Sequence, residues 1–309
     1  MSFRTGEHSC RRFQREASGA RPSRRWNQTT QQVGLRRHFD TSVRRRGWSG
    51  TPMNEVEQGW SHARDRQLWR LLARTVPGGR VPLTGRKAVA SITFDDVPES
   101  AATAGAAILD RHDVRATYYV AAALCGRQDR HWRLAGRDRI RELSRAGHEI
   151  GCHTARHVNV QSLRGQDLLR ECDVSSAMIA EICGRAPRNF CYPFGDVGLA
   201  QKRLLAERFE TCRTIYEHPN LGRVDPAMLG AYGLFDSVLD RRRLVQIVRR
   251  TMARRGWLIL YTHDVAAEPT PMGVTPGFLE ETLTVLAEHG VPLLTVAEAA
   301  RHHGLVAAD

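Results

Sequence analysis

Ala88-Val89-Ala90-Ser91-Ile92-Thr93-Phe94-Asp95-Asp96-Val97-Pro98 is the stretch on which the reading of this chain turns. It is almost continuously apolar as far as Phe94, then changes within two residues to a pair of carboxylates and a proline. A strand covered by helices on both faces needs such an unbroken apolar run, whereas a half-exposed strand alternates. In parallel α/β architectures the polar groups that follow a strand lie on the face where function collects.

Outward from this strand the pattern repeats. Ser100 to Arg111 reads as a helix, Ala116 to Ala122 as a strand, Ile140 to Ala146 as the end of a helix stopped by Gly147, and His148 to Cys152 as a short strand. Asp167 to Cys183 carries Leu168, Leu169, Cys172, Ile179, Ile182 and Cys183 at helical spacing, with Gly184 closing it. A strand over Asn189 to Tyr192, a helix over Leu199 to Glu207 and a strand over Thr211 to Ile215 follow. Pro219 to Asp240 reads as a loop with one strand. Then come a helix over Leu244 to Met252, a strand over Trp257 to Thr262, a helix over Phe278 to Glu288 and a last strand over Val291 to Leu294. Thr295 and Glu298 form a capping-box pattern. Strand–helix units of this length imply a parallel sheet, and their number predicts an α/β fold: a distorted (β/α) barrel of about seven strands over residues 87–309.

Composition is uneven. The 309 residues carry a formal net charge of +13, yet residues 1–86 hold 18 Arg against 6 acidic side chains, so the remainder is nearly neutral. Residues 1–59 are expected to be a disordered Arg-rich extension and residues 60–86 an entry helix with a linker, Leu68, Leu71 and Leu72 falling on one side. The extension reads as a solvated tail, as sequence ahead of a start at Met53, or as an arm for an anionic surface; the near-neutral domain predicts no nucleic-acid partner. No apolar run of about 18 residues occurs, which predicts no membrane span. Arg11-Arg12 is followed by no apolar segment and no signal core is evident, so the expected location is cytoplasmic. The 7 cysteines are scattered with no Cys-x-x-Cys, which predicts reduced thiols.

The chemistry-bearing residues gather after predicted strands: Asp95-Asp96, His153-Thr154-Ala155-Arg156-His157, Tyr192-Pro193-Phe194-Gly195 and His263-Asp264. One helical turn would bring His153 and His157 to one side. With a carboxylate they make a two-His, one-carboxylate site for a divalent ion with open positions. A neighbouring carboxylate left free is placed to act as a base, and His263, from a distant strand end, as an acid. A His-x-x-x-His spacing alone arises by chance about half the time in a chain this rich in His; what carries weight is the set, each member at a strand end. Tyr118, Tyr192, Trp257 and Tyr261 offer stacking faces, with core packing as the default.

These segments resemble the polysaccharide deacetylase family, the NodB-homology or carbohydrate esterase 4 family. Thr93 to Pro98 is similar to the family's Thr-Phe-Asp-Asp-Gly-Pro, His153 to His157 to its His-(Ser/Thr)-x-x-His, Tyr192 to Gly195 to the loop of its third motif, and Leu258 to His263 to its last strand. The resemblance implies Asp95 as general base, His263 as general acid, and Asp96, His153 and His157 as ligands of one divalent metal, zinc before cobalt, manganese or nickel. It implies the Phe194 backbone N–H as an oxyanion donor, and Tyr192 and Pro193 in substrate binding. The implied reaction is hydrolysis of N-acetyl groups on an N-acetylglucosamine-containing oligo- or polysaccharide, of chitooligosaccharide or exopolysaccharide type, releasing acetate. A metal-dependent hydrolase of another non-peptide C–N bond, such as a cyclic amide, and a non-catalytic carbohydrate-binding barrel are the alternatives; retention of Asp95 and His263 speaks against the second.

Three positions depart from the family pattern. Val97 stands where the family has Gly, so its backbone is expected to avoid positive φ. Cys191 stands where an Arg would hold the catalytic Asp; either the base is less well oriented or another Arg replaces it. The Asp-x-x-Asp-Trp motif has no counterpart, which leaves His263 without a named partner, Asp225 and Asp236 being the candidates.

Overall fold

The computed structural model describes residues 71–307 apart from Arg74 and Pro77; the expected disordered extension and most of the expected entry helix lie outside the described residues. The strands are β1 (Val81–Pro82), β2 (Val89–Asp95), β3 (Thr117–Val120), β4 (Glu149–Cys152), β5 (Asn189–Cys191), β6 (Thr211–Arg213), β7 (Arg223–Val224), β8 (Tyr232–Gly233) and β9 (Trp257–Thr262). The helices are α1 (Ala106–Arg111), α2 (Arg137–Arg145), α3 (Gly165–Cys183), α4 (Leu199–Ala206), α5 (Arg241–Ala253), α6 (Pro276–Glu288) and α7 (Val296–His302).

Seven strands form one sheet in the order β6-β5-β4-β3-β2-β9-β8, and each neighbouring pair is parallel. Every residue of β2 and of β9 is buried, the result of helices covering both faces. Leu229 exchanges hydrogen bonds with β6 (Thr214 N to Leu229 O, 2.8 Å; Leu229 N to Cys212 O, 3.0 Å), and Tyr232 pairs with Leu260 of β9. Residues 229–233 therefore bond to β6 at one edge of the curled sheet and form β8, its other edge. The helices present apolar faces inward: Ile140 and Leu143 from α2, Ile179 and Ile182 from α3, Leu244 and Val248 from α5, Leu279 and Leu283 from α6. Gly184 ends α3 at φ 77°, and Thr295 with Glu298 completes the capping box of α7.

Register positions the site. Asp95 is level with Tyr119, Phe94 with Thr262, and Val120 with Cys152, so β2, β3, β4 and β9 end side by side. The polar segments after β2, β4 and β9 are thereby brought to one rim.

Some expectations need correction. Ser100 to Arg111 opens with a π-helical turn at Ala101–Gly105 before α1. Val291 to Leu294 is not a strand: it makes a single bridge, Ala90 to Leu293, because β2 is already flanked by β3 and β9. The Pro219 to Asp240 stretch holds two short strands, β7 pairing antiparallel with β1 and β8 joining the main sheet. Val97 has φ 59° despite its branched Cβ. Its side chain is buried in the main core, and its carbonyl accepts from Ala135 N at 2.9 Å. Burial worth about 1.5–3 kcal/mol offsets a backbone cost of about 1–3 kcal/mol, which is how a β-branched residue tolerates the turn. The six described cysteines are free. No helix among the described residues is long and apolar enough to cross a membrane.

Candidate active site

Asp95, the last residue of β2, is buried, and Asp96 beyond it turns outward at φ 58°. The tight turn, with Val97 N donating to Asp95 O at 2.6 Å, separates the two carboxylates. Asp96 Oδ1 lies 3.4 Å from His157 Nε2 and 3.8 Å from His153 Nε2. The two imidazoles have ring centroids 4.8 Å apart. They meet through a loop with Thr154 at φ 60° and His157 at φ 53° rather than through the helical turn expected from their spacing. Five of the seven described non-glycine residues at positive φ (Asp96, Val97, Thr154, His157, Phe194) sit in these site loops. Such conformations persist only where the surroundings over-determine them.

The surroundings are visible. Glu171 of α3, itself buried, accepts from the Arg156 backbone N at 3.2 Å and from Arg156 Nε at 2.6 Å. Thr154 Oγ1 accepts from Val158 N at 3.1 Å, and Asn159 Nδ2 donates to Asp196 Oδ2 at 2.8 Å. His153 Nδ1 donates to Cys191 O at 2.8 Å, which turns Nε2 towards Asp96. Burial first, then the neighbouring His157, pull His153 down to about 4, so at neutral pH it is uncharged and has a lone pair to offer. The nearest ligand atoms of Asp96, His153 and His157 lie within 4.8 Å of one another. Two neutral-capable imidazoles with one carboxylate suit a divalent transition metal, and this donor set fits one.

Asp95 lies beside His153 and Cys191 and draws its ion pair from outside the trio. Arg213, the last residue of β6, is fully buried and pairs with Asp95 Oδ1. Its guanidinium lies between the rings of Tyr119 (5.2 Å) and Tyr261 (4.8 Å). Arg213 and Cys191 are register partners on neighbouring strands. The Arg that the family pattern places at Cys191 is thus supplied one strand over, at the same height, and the small thiol leaves it room. Burial alone would raise the Asp95 carboxyl; Arg213, with His153 and His263, outweighs burial and holds it below its ordinary value. Asp95 is therefore an anion at neutral pH. The same charge keeps Arg213 firmly protonated against the cost of burial.

His263, just past β9, has Nδ1 3.2 Å from Met272 O; a carbonyl only accepts, so Nδ1 carries the proton and Nε2 is left for chemistry. Neither candidate partner is used. Asp225 pairs with Lys202 at 2.6 Å, and Asp236 accepts from Thr275 N at 2.9 Å.

The third-motif loop divides its side chains. Phe194, at φ 60°, is 54% exposed, with its ring 4.5 Å from that of His157. Tyr192 turns inward: it is buried and its hydroxyl donates to Ala227 O at 3.0 Å, so its ring offers no surface to a substrate. Pro193 is buried beside it. Tyr118 and Trp257 are core residues, stacked on Phe94 and bonded to Ser91 Oγ respectively, and Tyr261 packs on Arg213. Reading the sequence missed Arg213, Trp132 and Glu171; the one available signal was a lone Arg closing the strand Thr211-Cys212-Arg213.

Similarity to known proteins covers part of the chain and its fold. The profile of the family described as Polysaccharide deacetylase matches residues 83–209. A chitooligosaccharide deacetylase of Azorhizobium caulinodans is 30% identical over 123 residues, 39% of this chain; the match spans 55% of that relative's length. A Mycobacterium smegmatis structure assigned as a polysaccharide deacetylase superposes with TM-score 0.54 at 18% identity, covering 74% of this chain and 94% of that one. The structure of a peptidoglycan N-acetylglucosamine deacetylase gives TM-score 0.50 at 16% identity, covering 71% and 90%. At these identities the two structures speak for a shared fold.

Proposed function

From a chain that carries polysaccharide deacetylase family sequence over residues 83–209 and shares that fold, we propose a metal-dependent N-deacetylase acting on N-acetylglucosamine-containing oligo- or polysaccharide. The observation that supports it most is the separation of roles between adjacent carboxylates. Asp96 joins two histidines, while Asp95 is kept ionised by a buried guanidinium. A site that only bound sugar would need neither. A divalent ion held by Asp96, His153 and His157, zinc by preference, would supply Lewis acidity towards the acetyl carbonyl and acidify a water.

The chain's own groups do the rest. Asp95 takes a proton from the attacking water as its oxygen bonds to the acetyl carbon. Arg213 fixes the carboxylate's orientation and its charge. The Phe194 backbone N–H is assigned to the developing oxyanion. His263, entering this step protonated on both ring nitrogens, delivers the Nε2 proton to the sugar nitrogen as the C–N bond breaks, so that acetate and a free amine leave. Phe194, exposed at the rim, offers an apolar face to a sugar ring.

The test is acetate release from short N-acetylglucosamine oligomers by metal-stripped protein and by protein refilled with zinc, cobalt or manganese. Release restored by metal is the expected result. Tight metal binding with no acetate from any acetamido sugar would move the assignment to other C–N substrates. Failure to bind metal would remove the site assignment altogether.

A further inference from the structure

Residues 126–135, which carry no periodic signal in the sequence, fold into a hairpin beside the acid. Gly126 N donates to Ala135 O at 3.0 Å, Leu134 N to Arg127 O at 2.9 Å and Asp129 N to Trp132 O at 2.9 Å, with Gln128 bridging Arg133. The same hairpin is stitched to the turn after β2: Pro98 bridges Leu134, Glu99 N donates to Arg133 O and Ala135 N to Val97 O, both at 2.9 Å. It therefore grips the positive-φ turn that carries the two carboxylates. It also lays Trp132 against His263, with ring centroids 5.5 Å apart at 30°.

Trp132 is 9% exposed, and its indole N–H is buried with no partner among the described residues. An orphaned donor is a standing cost. Its own hydrogen bonding is therefore not what holds the side chain there; what the position uses is the ring. Around His263 the other rings stand further off, Phe235 at 6.1 Å and Tyr261 at 6.3 Å, and among the described residues the hydrogen-bond partner of the imidazole is the Met272 carbonyl. With a neutral carbonyl at Nδ1, no carboxylate hydrogen bond among the described residues fixes the ring plane of His263, and Asp95 acts on it through charge alone. An aromatic face does so by packing.

We propose that Trp132 is the positioning residue for His263, fixing the imidazole so that Nε2 faces the leaving nitrogen. This rests on His263 being the acid of the deacetylation above. It predicts a defect specific to leaving groups that need a proton. An amine leaving an acetamide needs one; a nitrophenolate leaving an aryl acetate does not, although both reactions use the same base and the same acetyl carbon.

The experiment compares wild type, Trp132→Phe, Trp132→Ala and His263→Ala on N-acetylglucosamine oligomers and on 4-nitrophenyl acetate, with melting temperatures measured alongside. Trp132→Ala is expected to lose about tenfold or more in kcat on the acetamide and to stay within about twofold on the ester, in the direction of His263→Ala. Trp132→Phe keeps a ring and is expected to retain most of both activities. Equal losses on the two substrates, or no loss on the acetamide, would overturn the proposal. A second readout needs no turnover: the ring-current shift of the His263 Cε1 proton in NMR spectra. It should change in Trp132→Ala and largely persist in Trp132→Phe, and an unchanged shift in Trp132→Ala also overturns the proposal. If wild type cleaves no acetamido sugar, the deacetylase reading falls, and the proton shift still decides whether Trp132 sets the His263 ring.

Discussion

Asp96, His153 and His157 meet through two loops that the chain presents as contiguous motifs, held in place by Cys191 O and Glu171. Asp95 and His263 are held differently. The carboxylate proposed as base is gripped by Arg213, 118 positions away, and the imidazole proposed as acid is covered by Trp132 from a separate hairpin. The first region is a ligand set, in which identity and spacing carry the chemistry. The second is a pair of proton-transfer groups, in which ionisation and aim carry it, and aim can be supplied from any strand end at the right height. One side therefore keeps its residues in order along the chain, while the other is rebuilt from neighbours in space.

The sharpest way to break this comparison is Asp95→Asn. It should lower kcat by about 10²–10⁴-fold while metal affinity by equilibrium dialysis changes far less, since Arg213 pairs with Asp95 directly and the tie of Asp95 to His153 is through charge. Loss of metal along with activity would merge the two regions. Next is Arg213→Ala, which leaves a buried carboxylate without its counter-charge. It should destabilise the fold by about 3–5 kcal/mol in denaturant titrations. Because Cys191 and Arg213 are register partners, the double substitution Cys191→Arg with Arg213→Cys should recover much of that stability and of the activity. A double variant no better than the single one would show that register equivalence is not what lets the guanidinium move.

A smaller effect is expected from protons. Burial pulls His148, His153 and His303 each down to about 4, whereas in the unfolded chain a histidine titrates near 6.5. As pH falls below about 6.5 the unfolded state binds protons that the native state refuses, so stability drops with acidity. Between pH 7 and 5 the loss is about 2 kcal/mol for each group, measurable by urea melts of metal-free protein. His303→Gln should flatten that slope by its share. The Asp95 carboxyl adds a further loss at lower pH, because its value is lowered and its contribution disappears only as pH falls through that value. The smallest expected effect is Glu171→Gln, which weakens the anchor of the His153–His157 loop. It should reduce metal affinity by about tenfold and leave the Asp95–Arg213 side untouched, as judged by metal competition and by thermal melts.

The strands that matter were legible because a doubly covered parallel strand must be apolar throughout, and β2 and β9 are. The short strands β7 and β8 were not, since two residues carry no period. Val97 read as a position that must avoid positive φ, because the rule on β-branched residues is local while the burial that offsets it is not. The expected helical turn between His153 and His157 failed for the same reason: spacing gave proximity, and the loop's hold on Glu171 and Asp196 gave the conformation. Tyr192 read as core by default while the resemblance implied substrate binding, and its burial with the hydroxyl's bond to Ala227 O decides for the core.

By itself the sequence determined the parallel α/β architecture, the rim on which the polar loops gather, and the identity of the ligand-type side chains. These follow from local period and from residue chemistry, both of which are written along the chain. Tertiary structure alone decided which arginine keeps the base ionised, what stands beside His263, and how Val97 is tolerated. Each of those is a contact between segments far apart in sequence, set by register across the sheet and by burial, and neither quantity has a one-dimensional signature.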